Sequence, residues 1–115
     1  MPESILKLKS YPFAIQIVKV FQSLIGEKKE YVMSKQLIRS GTAIGTLIRE
    51  AEFAQSKKDF INKMSVSLKE ANETLYWIDL LKDTDYIDLK NLMTSDCKEL
   101  IAMLVSSIKT TKSRL

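Results

Sequence analysis

Residues 56–82 read SKKDFINKMSVSLKEANETLYWIDLLK, and their spacing decides the fold. Phe60, Met64, Ser67/Leu68, Ala71, Leu75, Ile78 and Leu81 recur every three or four residues, which is one face of an α-helix. Val66, Glu70, Glu73 and Trp77 make a second stripe. Ser56 with Asp59 three positions on gives a box-like helix start. The spacing predicts a helix from about Lys57 to Lys82.

Working outward, the segment before it predicts a helix from about Lys28 to Ala54. Met33, Leu37, Ile44, Ile48 and Ala51 share its buried face. A further stripe of Ser34, Ile38, Gly41 and Gly45 is mostly small. Each interior glycine costs a helix about 1 kcal/mol relative to alanine, so the pair needs a reason. It is either a close approach by another helix or a kink.

Pro12 to Ile25 reads as a first helix, with Ser10 as N-cap, Pro12 in the first turn and Gly26 as a left-handed stop. Phe13, Ile17, Val20/Phe21 and Leu24 form its buried face. A fourth helix is predicted from about Tyr86 to Thr110, capped by Asp85 with Asp88 three positions on. Leu89, Met93, Cys97, Leu100, Leu104 and Ile108 supply its buried face.

The chain of 115 residues fits one domain, with an N-terminal arm over 1–10 and a frayed tail over 111–115. Three Gly and two Pro leave little turn chemistry for an all-β fold. Short connections force successive helices to run antiparallel. The expectation is therefore all-α: an antiparallel up-down-up-down four-helix bundle.

Function classes narrow by what is missing. The chain has no histidine, the commonest general base and metal ligand. With one cysteine, Cys97, neither an internal disulfide nor a structural zinc site can form. Gly41-Thr42-Ala43-Ile44-Gly45 lacks the ending of a phosphate-binding loop. No enzyme activity, metal or cofactor is expected. No signal peptide or membrane-spanning stretch is apparent, so the cytoplasm is the expected location and no membrane partner is expected.

Net charge is +4, a mild bias towards anionic partners that a merely soluble surface also carries. Basic residues concentrate at Lys28, Lys29, Lys35, Arg39, Arg49, Lys57, Lys58 and Lys63. These are the candidate nucleic-acid-binding residues. Lys57 and Lys58 at a helix N-terminus suit either a phosphate or pairing with Glu50 and Glu52. Arg39 and Arg49 suit either a phosphate or Glu70 and Glu73. The surplus stripes, Ser34, Ile38, Gly41 and Gly45 with Val66, Glu70, Glu73 and Trp77, are the candidate oligomer interface. A wide apolar face serving a single core is the alternative.

Four stretches read together resemble a known family. They are Ser10-Tyr11-Pro12-Phe13-Ala14-Ile15; Ser34-Lys35-Gln36-Leu37-Ile38-Arg39-Ser40-Gly41-Thr42-Ala43-Ile44-Gly45; Ile48-Arg49-Glu50-Ala51 with Ser56-Lys57-Lys58-Asp59-Phe60; and Lys69-Glu70-Ala71-Asn72-Glu73-Thr74-Leu75-Tyr76-Trp77. Over about residues 10 to 110 the chain resembles the bacterial 23S ribosomal RNA intervening-sequence proteins, which are four-helix bundles. Their similarity to the accessory variability determinant of diversity-generating retroelements implies a homopentameric barrel. It also implies RNA or DNA and a reverse-transcriptase-like protein as partners. Thr46 departs from the asparagine of many members, which puts any role of that amide in doubt. The expected function is a non-catalytic oligomer presenting basic surfaces to nucleic acid or to a protein that handles it. The rival is a structural protein–protein interaction module.

Overall fold

The computed structural model describes residues 2–88 and 90–115, with side chains from Ile5 onward. Four α-helices and no strand occur among these residues: α1 (Pro2–Gly26), α2 (Met33–Glu52), α3 (Lys57–Asp83) and α4 (Met93–Lys112). Packing follows a closed ring: α1 on α2, α2 on α3, α3 on α4 and α4 back on α1. Among the described residues no close backbone approach joins α1 to α3 or α2 to α4, and the core is an axial seam lined by all four helices. Leu6, Ile17, Leu37, Ile44, Met64, Ile78, Leu81, Met93, Cys97, Leu100 and Leu104 fill it. No helix among the described residues is long and apolar enough to cross a membrane.

The predicted face of α3 is buried at Met64, Ser67, Ala71, Ile78 and Leu81, and the Ser56 hydroxyl accepts the Asp59 N–H at 3.0 Å. Elsewhere the boundaries move. The arm expected over 1–10 is helical from Pro2. Leu6 is fully buried, and Lys7–Glu52 and Lys9–Glu99 pair at 3.1 Å, so the early turns are tied to α2 and α4. Ser10 is thus no cap: it sits inside the helix, and its hydroxyl donates to the Lys7 carbonyl. Pro12 lies on the exposed side of α1, where water can serve the Leu8 carbonyl that it leaves without an amide donor.

Gly26 is not left-handed; Lys29 is, at φ 56°. The chain reverses there, and α2 starts at Met33 instead of Lys28. The side chain that caps it is Glu30, only 8% exposed, whose carboxylate accepts the N–H groups of Val32, Met33 and Ser34 at 3.2, 3.1 and 2.8 Å. Burial pushes the Glu30 carboxyl up, but these bonds outweigh it and hold its pKa below the usual range.

The fourth helix starts seven residues later than Tyr86, at Met93. Asp85 adopts a left-handed conformation (φ 66°) and closes α3, with Tyr86 N–H on the Leu81 carbonyl at 2.9 Å and Asp85 N–H on that of Lys82 at 3.1 Å. Asp88 then takes the Lys90 N–H and Asn91 the Met93 N–H, both at 2.8 Å. Such local bonds compete with helix. Leu89 lies outside the described residues. The tail is held at one point, because Lys57 Nζ donates to the Arg114 carbonyl at 3.0 Å. Cys97 is a core thiol; burial, with Asp79 adding to it, pushes its pKa up to about 12.

The stripe expected at a subunit boundary faces inward. Ser34 and Gly41 are buried. A Cβ on Gly41 would lie 2.8–2.9 Å from three carbons of Ile17 in α1. One on Gly45 would lie 3.4 Å from Ser10 Oγ. Ile38 packs half-buried against the core. The close approach is therefore to α1 of the same chain, and α2 runs unbroken through both glycines.

Candidate binding surface

The eight basic residues singled out in the sequence fall into three environments. Lys28, Lys29 and Lys35 are exposed around the α1–α2 connection. There Lys28 shares a recess with Tyr86, Asp88 and Asn91 of the α3–α4 connection. Arg39, midway along α2, is committed elsewhere. It binds Glu70 at 3.2 Å and also Glu73, which accepts the Trp77 indole N–H at 3.1 Å. The indole and then the guanidinium hold Glu73 below the usual carboxylate range, while the Glu73 contact raises Arg39. Glu70, Glu73 and Trp77 thus join Arg39 in an α2–α3 clamp within the chain. Val66 stays exposed.

The remaining four stand towards the opposite end. Lys57 and Lys58 do not pair with Glu50 and Glu52. Glu50 holds Lys63 at 3.2 Å, and Glu52 holds Lys7. The α3 N-terminus is also unready for phosphate, since Ser56 takes the Asp59 N–H and Asp59 takes the Gln55 N–H at 3.2 Å.

Arg49 has the most informative position. Its guanidinium lies 5.5 Å above the ring of Tyr11 in α1 and has no carboxylate partner among the described residues. Cation–π placement of this kind fixes the side chain without neutralising its charge. It borders a groove of about 740 Å³. Ser10, Tyr11 and Ala14 of α1 form one wall, and Thr42, Gly45, Thr46, Arg49 and Glu50 of α2 the other. Phe53, Gln55, Asp59 and Lys63 close one end. The groove is open because the residues at its floor are small. Thr46 turns its hydroxyl back onto the Thr42 carbonyl at 3.0 Å and presents only a methyl-sized surface.

Sequence reasoning missed Tyr11. The available signal was small residues on both facing helices, Ser10 and Ala14 opposite Gly45. That pattern brings the two backbones together and Tyr11 beside Arg49.

The pattern of the 23S rRNA-intervening sequence protein family matches residues 3–106. The chain belongs to that family. It is also similar to a crystal structure of a protein with unknown function from the S23 ribosomal protein family of Bacteroides thetaiotaomicron. The two are 50% identical, the match covers 95% of this chain and 99% of the other, and the TM-score is 0.92. No curated protein matches. Membership accounts for the four helices.

Proposed function

We propose that this chain is a non-catalytic, cytoplasmic binding protein that presents basic surfaces to nucleic acid, working as a homo-oligomer of antiparallel bundles. One observation carries the reading. Lys28, Lys29, Lys35, Arg49, Lys57 and Lys58 have no ion pair among the described residues, so their charge is available to phosphates. Antiparallel order is supported by contacts whose numbers rise along one helix as they fall along the next: Lys7 with Glu52 then Tyr11 with Arg49, Lys63 with Glu50 then Thr74 with Ser40, Ala71 with Cys97 then Lys82 with Thr94, and Lys9 with Glu99 then Gln16 with Asp96.

Titrating labelled RNA and DNA over a salt series tests the binding. Counterion release gives a linear fall of log affinity with log salt, about −0.7 per neutralised phosphate on single strands. Absence of binding at low salt would overturn the reading. The second reading is a docking module for a protein, such as a reverse-transcriptase-like partner. It is favoured by Tyr31, Val32 and Leu92, which are exposed on the two connections that share the Lys28 recess.

The self-association surface moves to α1. Ile5, Leu8, Pro12 and Ile15 fall on one outer face of that helix, and Leu8 is 73% exposed. A helix apolar on faces that its own bundle does not cover calls for another cover. The resemblance implies a pentamer. Leu8→Glu is expected to convert the assembly to monomer while helical content stays unchanged, as read by sedimentation velocity and circular dichroism. A wild type that sediments as a monomer at micromolar concentration would remove the assembly from the reading.

A further inference from the structure

We propose that the α1–α2 groove binds single-stranded nucleic acid, with an unstacked base against Phe53 and Tyr11 and the neighbouring phosphate on Arg49. The inference rests on the nucleic-acid reading above and assigns its ligand form and site.

Phe53 is 82% exposed. It stands one helical turn beyond Arg49 on the groove side of α2. An aromatic ring left this open contributes nothing to the core, and it offers a face on which any base can stack. Arg49 supplies the second element. Its guanidinium is held over Tyr11, and a fork that is already ordered gives up less freedom when it meets a phosphate. The other groove charges are engaged: Lys63 is bound by Glu50, and the Asp59 carboxylate, still charged, takes the Gln55 N–H at the start of α3. Arg49 is therefore the groove's one cation without a carboxylate partner among the described residues.

A ring face beside an uncompensated cation matches a ligand in which a planar base sits next to a phosphate. Single strands expose both together, whereas a duplex hides its base faces in its own stack. A volume of about 740 Å³ lies within the range of sites that enclose a small organic group. The basic residues outside the groove attract either form without distinguishing them.

Fluorescence anisotropy with a labelled single-stranded oligonucleotide, as RNA and as DNA, and with the matching duplex tests the assignment. The wild type is expected to prefer the single strand by about tenfold. Phe53→Ala, which removes an exposed ring and is checked for folding by circular dichroism, is expected to lower single-strand affinity about tenfold and to leave duplex affinity unchanged. Arg49→Lys is expected to weaken the single strand severalfold while the salt slope stays the same, because charge is kept and the fork is lost.

Salt-dependent binding with no strand preference and no effect of Phe53→Ala would overturn the groove assignment and leave the general reading standing. No binding of any form by the wild type would overturn both. A drop in sedimentation coefficient for Phe53→Ala would mark the groove as a contact between copies and overturn the assignment.

Discussion

Gly41→Ala is expected to destabilise the protein by about 1–3 kcal/mol, and Gly45→Ala, four residues along the same helix, to stabilise it by up to about 1 kcal/mol. Both substitutions bring the same gain in helix propensity, so the neighbours decide the sign. At Gly41 the new methyl meets Cγ1, Cγ2 and Cδ1 of Ile17 at 2.8–2.9 Å. Two of those carbons are attached directly to the Ile17 Cβ, so no single rotation clears them all, and Ile17 is fully buried. The helices must part, and packing is lost along the α1–α2 seam. At Gly45 the nearest atom is Ser10 Oγ at 3.4 Å, which is ordinary contact. Denaturant titration of both variants reads the difference. In an Ile17→Ala background the Gly41→Ala penalty should shrink, because residues in contact do not add independently. A destabilisation that persists there would mean that α2 needs glycine for some reason other than space.

The second large effect is expected at Glu30. Glu30→Ala leaves three amide donors at the start of α2 without their carboxylate, at a cost of about 2–3 kcal/mol. The same group makes the fold acid-sensitive. Its folded pKa is depressed. The stability it confers is therefore fully present above the unfolded value, about 4.3, and is lost as pH falls through the lower folded value. Glu30→Gln should flatten that part of the profile, since a neutral amide oxygen accepts hydrogen bonds but does not titrate. Urea midpoints measured from pH 7 down to pH 3 for the wild type and both variants give the comparison. Parallel profiles for wild type and Glu30→Gln would show that another carboxylate sets the acid limit.

Both effects arise at features that were hard to read in the sequence. The number and class of the helices were legible because apolar spacing is strong in all four segments. The bounds of α3 were legible because Ser56 and Asp59 mark its start without competition. At Pro12 a local rule suggested a beginning, and burial of Leu6 with two ion pairs carried the helix ten residues further back. At Glu30 the cap lies before the helix that it starts, and its identity depends on Lys29 turning the chain left-handed. Asp85 and Asp88 read as the cap of the fourth helix, but the Asp85 backbone closes α3 and the Asp88 carboxylate takes the Lys90 N–H, and neither starts a helix. Periodicity placed Gly41 and Gly45 on a separate stripe and could not say which neighbour approached it. That neighbour is α1. The Arg39 clamp was legible as one of two alternatives. The Tyr11–Arg49 contact was not, because it depends on how closely α1 and α2 approach.

The Arg39–Glu73–Trp77 clamp also makes the protein its own optical probe. Trp77 is the sole indole in the chain. Its N–H rests on a carboxylate that also joins α2 to α3. Emission colour and quenching thus report on that one seam. A ligand seated between α1 and α2 leaves the signal quiet, and any event that pries α2 from α3 changes it, with no dye attached.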